Sequence, residues 1–256
     1  MRVDGMRVLI SAGASGIGRA MAEGFEAAGA RVAIADADAA ALAGCPESWH
    51  RTHLDVTDER AVAALYAELA GTFGGLDVLC ANAGIAGPTA TVENIDLADW
   101  QRCVSVNLEG AFLFAKYAIP MMKAEGKGSI ILTSSTAGIY GYPNRAPYSS
   151  AKWAINGFMK TLAMELGPFG IRANSICPGS VHGPRMERVM EKEAALKGTT
   201  RDAIYAGYAG GTSMKSFVTA EDIANMAVFL ASDAARMVSG QIIAVDGHTE
   251  NPDPKV

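Results

Sequence analysis

Seven short strand-like runs recur along the chain with helical stretches between them, and this alternation restricts the fold more than any other feature. The runs are 7–11, 31–35, 50–54, 76–81, 129–133, 172–176 and 241–245; the helical stretches include 16–28, 59–73, 97–122, 149–166 and 220–230. Parallel strands need crossover connections, and crossover helices pack right-handedly on the sheet, so repeated β-α alternation implies a parallel sheet covered on both faces. The expected class is α/β: a doubly wound, three-layer sandwich about a seven-stranded parallel sheet. A length of 256 residues fits one such domain, residues 1–256.

One segment breaks the rhythm. Residues 183–218 carry charged helical pieces, Gly207, Gly210 and Gly211, and the aromatics Tyr205 and Tyr208, with no strand pattern. An insertion of that length in a compact domain is a functional lid or a disordered excursion, and its apolar residues favour a lid over the substrate site. The tail from Asn251 to Val256 reads as extended, either disordered or a subunit contact.

Bulk properties exclude several classes. Half the residues are hydrophobic and 19% charged, a globular balance, and no apolar run approaches the roughly 18 residues of a membrane span. The first seven residues show no export signal, so the expected location is cytoplasmic. A net charge of −5 gives no reason to expect nucleic acid or anionic membranes as partners. Cys45, Cys80, Cys103 and Cys177 lack metal-ligand or disulfide spacing, so no metal is expected and the partner is a small-molecule substrate.

After the first run comes Ser11-Ala12-Gly13-Ala14-Ser15-Gly16-Ile17-Gly18, a small-residue turn opening a helix. Small side chains let a pyrophosphate approach the backbone, and the helix start offers free N–H groups and a positive dipole end. Asp36 stands 20 residues beyond Gly16, where a dinucleotide site places the acid that holds the adenosine ribose. Its charge repels a 2′-phosphate, and Ala35 and Ala37 supply no cation, which favours NAD(H) over NADP(H). Asp36 also suits the cap of a helix beginning at 36–41, and the two roles are compatible.

Tyr148 and Lys152 stand at i and i+4, on one helix face. A phenol titrates near pH 10, and a nearby fixed cation favours its ionised form, so this pair suits proton transfer.

These features together resemble the short-chain dehydrogenase/reductase family, in its single-domain Rossmann-type branch, over nearly the whole length. The family's Thr-Gly-x-x-x-Gly-x-Gly turn is matched by Ser11, Ala12, Gly16 and Gly18, with Ser for Thr and Ala for the first Gly. Its adenine contact is matched by Asp55 and Val56, and its Asn-Asn-Ala-Gly by Ala81-Asn82-Ala83-Gly84, losing the first Asn. The resemblance implies a tetrad of Asn107, Ser135, Tyr148 and Lys152: Asn107 holds a relay water, Ser135 polarises the reacting oxygen, Tyr148 exchanges the proton, and Lys152 lowers the Tyr148 pKa while holding the nicotinamide ribose. Ser134 is adjacent, but spacing favours Ser135. Pro178, Gly179 and Val181 match the turn against the nicotinamide carboxamide, although the usual Thr after it is replaced by His182-Gly183-Pro184.

The implied reaction interconverts a secondary alcohol and its carbonyl with NAD(H). Residues placed to face the substrate are Ala137, Tyr140, Tyr142, Arg145, His182, Arg185, Met186 and Tyr208. Arg145 and Arg185 could fork onto an anion or ion-pair at the surface, so sugars, polyols and anionic hydroxy compounds are the substrates to weigh. Reduction of 3-oxoacyl or other ketones is the alternative reaction, and a non-catalytic NAD sensor the alternative class. The chain is too short for the added substrate domain of extended-branch dehydratases and epimerases. Family members commonly form homotetramers, with which Phe112, Phe114, Met159 and 240–246 are compatible; each also suits ordinary core.

Overall fold

The computed structural model describes residues 3–253. Seven strands form one all-parallel sheet: β1 (Arg7–Ser11), β2 (Arg31–Asp36), β3 (His50–His53), β4 (Val78–Ala81), β5 (Gly128–Thr133), β6 (Ile171–Pro178) and β7 (Ile242–Val245). Their order is β3-β2-β1-β4-β5-β6-β7. The chain leaves β1 in one direction for β2 and β3, then returns to build the other half from β4. The two halves diverge between β1 and β4, and in open α/β sheets a crevice forms there, beyond the carboxyl ends of the strands.

Side chains alternate along the central strands and feed two separate cores. Leu9, Ala33, Leu79 and Ile130 point to one face, where α3 (Glu59–Thr72), α5 (Gly110–Glu125) and α6 (Ala146–Leu166) bury Leu65, Phe114 and Ile155. Ile10, Ile34, Cys80 and Ile131 point to the other, against Phe25 of α1 (Gly16–Ala27) and Ala227 of α9 (Ala220–Ala231). Burial on both faces explains why these strands read as continuous apolar runs. Phe114 and Met159 are fully buried in the first core, so of the residues suggested for subunit contact only Phe112, 46% exposed, and the β7 edge at Ile242 remain on the surface. All four cysteines are free and buried. Among the described residues no helix is long and apolar enough to cross a membrane.

Several elements differ from the sequence reading. The helix expected at 97–122 is α4 (Leu97–Val104) and α5 joined by a π-helical turn, Ser105–Glu109. α2 (Ala39–Ala43) is capped not by Asp36 but by Asp38, whose carboxylate accepts from the Ala41 N–H. α6 starts at Ala146 rather than 149, with Pro147 in its first turn, where a missing N–H costs nothing. The segment 183–218 folds into α7 (Pro184–Lys197) and α8 (Arg201–Gly210), which share a small core of Met190, Ala194, Ile204, Tyr208 and Phe217. Gly207 and Gly210 are thus helical, and the base of the insertion is closed by a parallel bridge between Val181 and Val218. Residues 249–251 are tied down through bonds from Glu250 and Asn251 to the Gly211 carbonyl; residues 254–256 of the tail lie outside the described part.

Candidate active site

A cavity of about 330 Å³ opens at the divergence of β1 and β4, roofed by α7 and α8. Its lining runs from Ala12, Ser15, Gly16 and Ile17 at one end to Ser135 and Tyr148 at the other.

The first end is the β1–α1 turn. Ser15 precedes α1 without making a side-chain cap, which leaves the first N–H groups of the helix for another acceptor. Gly16 adopts φ +52°, and a Cβ there would point into open space. Gly13 sits against Ile34, whose Cγ2 would lie 2.5 Å from a Cβ, and Gly18 packs under the Ala12 carbonyl. The Ser11 hydroxyl accepts from the Asn82 and Ala83 N–H groups at 3.0 Å each, and the Asn82 amide donates to the Ser11 and Ala12 carbonyls. Asn82 Oδ1 accepts from Thr133, so one side chain ties the ends of β1, β4 and β5 together. Half-buried Asp36 accepts from the N–H groups of Ala14 and Asp38, both 3.0 Å, and so braces the turn itself. Free amides at a helix start and open space above Gly16 fit a pyrophosphate, while Asp36 stands behind the turn and does not itself line the cavity. Asp55 accepts from Thr57 and Arg102, and neither it nor Val56 lines the cavity.

The second end is built on α6, β5 and the π turn. Lys152, almost fully buried, donates from Nζ to the Thr133 carbonyl at 2.7 Å, and the Ser134 hydroxyl donates to the Lys152 carbonyl. Ser134 is thereby committed to structure, while Ser135 faces the cavity and accepts from the Ala137 N–H. The π turn lets Asn107 donate to the carbonyls of Cys103 and Ile85 at 2.8 and 3.0 Å, leaving Oδ1 buried without a partner. Gly84 makes room for it: a Cβ would lie 2.5 Å from Asn107 Oδ1 and 3.3 Å from Lys152 Nζ. An acceptor stranded there beside an ammonium fits a bridging water.

Tyr148 is surrounded by cations. Burial alone would push its hydroxyl up, but Arg185, Lys152, the Ser135 hydroxyl and Arg145 together bring it below the ordinary phenol range. The guanidinium carbons of Arg145 and Arg185 lie 4.9 and 5.8 Å from the ring centre, and Lys152 Nζ 5.7 Å. Lys152 is itself held below its usual range by burial, partly offset by Tyr148.

The substrate-facing candidates divide. Ala137, Tyr142, Arg145, His182, Arg185, Met186 and Tyr208 all line the cavity; Tyr140 does not, because its hydroxyl donates to the Thr249 carbonyl at 3.1 Å. Tyr208 and Tyr142 spend their hydroxyls on Glu193 and Thr136, and burial raises the Tyr142 hydroxyl to about 12. His182 packs on Phe217 with ring centres 5.2 Å apart. The turn at Pro178, Gly179 and Val181 also lines the cavity, with Gly179 held by the Val245 carbonyl. The sequence reading missed Thr133, whose carbonyl anchors Lys152, and Arg188, which also lines the cavity. Acceptance by a main-chain carbonyl leaves no residue-type signal.

Comparison with known proteins places this chain among oxidoreductases. Residues 11–248 match the family model described as enoyl-(acyl carrier protein) reductase. The trans- and cis-4-hydroxycyclohexanecarboxylate dehydrogenases of Sinomonas cyclohexanicum are 39% and 38% identical, aligned over 96% and 93% of this chain and 93% and 94% of their own. The crystal structure of NAD+-bound xylitol dehydrogenase superposes with a TM-score of 0.93 at 28% identity, covering 96% of this chain and 100% of that one.

Proposed function

The chain belongs to the short-chain dehydrogenase/reductase family and is an oxidoreductase acting on CH–OH donors, and from that premise we propose that it is an NAD(H)-dependent dehydrogenase of a ring-borne secondary alcohol. The observation that carries the reading is Tyr148: a phenol lowered below its ordinary range at the end of a cavity whose other end offers free helix N–H groups.

Bound in this cavity, NAD+ supplies the hydride acceptor. The chain's own residues do the rest. The first turn of α1 takes the pyrophosphate, and Asp36 accepts from the adenosine ribose with the lone pairs left over from Ala14 and Asp38. Lys152 is set to hold the nicotinamide ribose. Ser135 donates to the carbinol oxygen, Tyr148 takes its proton, and the buried Asn107 Oδ1 orients a water through which Lys152 passes a proton outward. The α7–α8 insertion acts as the lid that excludes bulk water. NAD(H) is preferred because Asp36 would face a 2′-phosphate with like charge. Two relatives act on hydroxycyclohexane carboxylates, which favours a ring alcohol over an acyl chain. A homotetramer fits the exposed Phe112 and β7 edge.

The test is fluorescence titration with NADH and NADPH, followed by NADH formation from a panel of cyclic alcohols. Tyr148→Phe should bind NADH as the parent does yet lose at least about 1000-fold in turnover. Asp36→Ser should raise the NADPH-to-NADH affinity ratio at least tenfold. Equal turnover in Tyr148→Phe refutes the mechanism, and an unchanged ratio refutes the cofactor assignment.

A further inference from the structure

We propose that the substrate is a compact hydroxy acid, whose carboxylate is held between Arg145 and Arg185 while its carbinol meets Ser135 and Tyr148. This rests on the dehydrogenase reading above and adds to it the charge and size of the substrate.

The chain as a whole carries five more acidic than basic side chains, yet the cavity is lined by Arg145, Lys152, Arg185 and Arg188 and, among the described residues, by no Asp or Glu. Outside the cavity Arg7, Arg19, Arg102 and Arg201 pair with Asp77, Glu23, Asp55 and Glu187, while Arg31, Arg51 and Arg172 bond main-chain carbonyls. Neither Arg145 nor Arg185 has an acidic partner within salt-bridge distance among the described residues. Each makes one bond to a main-chain carbonyl, Arg145 to Ala86 at 3.3 Å and Arg185 to Gly84 at 3.1 Å. Arg145 Nε is buried with no acceptor at all. A guanidinium has five donors, so most of their capacity is unspent, and a buried donor without an acceptor is costly unless a ligand completes it.

The Tyr148 ring also positions both groups. Each guanidinium carbon is within 6 Å of the ring centre, a distance at which the ring attracts a cation, and a planar fork beside a ring still has N–H bonds to offer a planar anion. The distances set the size of the substrate. With both guanidinium carbons so close to the ring that bears the reacting hydroxyl, the carboxylate must lie only a few carbon atoms from the carbinol. A six-membered ring carrying the two groups across it meets that spacing; a long acyl chain does not.

The test compares a matched pair of substrates, 4-hydroxycyclohexanecarboxylate and its neutral methyl ester, in parent protein, Arg185→Gln and Arg145→Gln, with binding of non-reacting cyclohexanecarboxylate to the protein–NADH complex measured alongside. The parent should prefer the acid, and the acid-to-ester ratio of kcat/KM should fall about ten- to 100-fold in either variant. Taking the ratio cancels any general effect on Tyr148, and the exposed Arg185 serves if Arg145→Gln fails to fold. Ester oxidised as well as acid, with an unchanged ratio in the variants, overturns the carboxylate clamp and leaves the dehydrogenase reading intact. Cyclohexanecarboxylate bound by the parent and lost in Arg185→Gln, with neither alcohol oxidised, supports the clamp and overturns the dehydrogenase reading. No carboxylate binding and no turnover overturns both.

Discussion

Ala12 sits where the family carries glycine, and its backbone is left-handed, at φ +51°. That conformation costs an L-residue with a Cβ roughly 1–2 kcal/mol. Replacing Ala12 with glycine removes the cost but adds about 0.4–1 kcal/mol of unfolded-chain freedom. The methyl group lines the cavity rather than the core, so little buried contact is lost. Ala12→Gly should therefore stabilise by about 0.5–1 kcal/mol, a rise in Tm of roughly 1–4 °C for a chain of this size. Urea unfolding without nucleotide measures it, as a higher midpoint at unchanged slope. The control is Ala14→Gly two residues on, where the side chain is buried and φ is not positive; it should destabilise. If Ala12→Gly lowers stability as Ala14→Gly does, the strain at this turn is not what holds the chain below its optimum.

Three further outcomes follow from the geometry. Arg185 is one of three cations set around Tyr148 and favours its ionised form, so the rising alkaline limb of kcat/KM for oxidation should stand below the ordinary phenol pKa and move to higher pH in Arg185→Gln, with Arg185→Lys restoring it; a limb that stays put in both removes Arg185 from the tuning. Asp77 is held near 2 despite burial, by bonds from Arg7 and Lys127, so it adds stability above its unfolded pKa of about 3.8 that is lost as pH falls towards 2. Asp77→Asn should cost about 2 kcal/mol at pH 7 by urea unfolding, and the difference should shrink as pH falls below about 4 and close only near about pH 2. Gly84→Ala would drive a methyl group against Asn107 Oδ1, and should cut kcat at least tenfold while lowering Tm by several degrees; wild-type turnover would show that the space above Gly84 has no part in the chemistry.

The sheet was legible because its period was. Continuous burial of β1, β2, β4 and β5 on both faces comes straight from aliphatic runs such as Val8-Leu9-Ile10, and the Tyr148–Lys152 pair is fixed by helical spacing alone. What could not be read was set by contacts between distant segments. The π turn at Ser105–Glu109 lets Asn107 reach back to Cys103 and across to Ile85, and no residue type announces it. Asp36 and Asp38 are the same residue type two places apart, and only the position of the helix decides which one caps it. Tyr140 and Tyr142 are both expected at the cavity, but the fold turns the Tyr140 hydroxyl towards Thr249, a contact that no residue type announces. The phosphate turn, by contrast, was legible in its small residues, while its brace from Asn82 depends on strands 71 residues apart.

The Val181–Val218 bridge makes residues 182–217 a closed cassette. The His182 N–H donates to the Val218 carbonyl and the Val218 N–H to the Ser180 carbonyl, so both mouths of the segment are stapled at one point beside β6. Between those staples α7 and α8 pack chiefly on each other, about Met190, Ile204 and Phe217. The loop-closure entropy is thus met at the base, whatever the contents of the loop. Such a segment can change the sequence of its helices without asking the sheet to re-register, provided that the turn at 211–214 keeps its bonds to residues 247–251. Arg185 and Met186 ride on the cassette, whereas Ser135, Tyr148 and Lys152 belong to the frame, so selectivity can drift while the proton-transfer apparatus stays where it is.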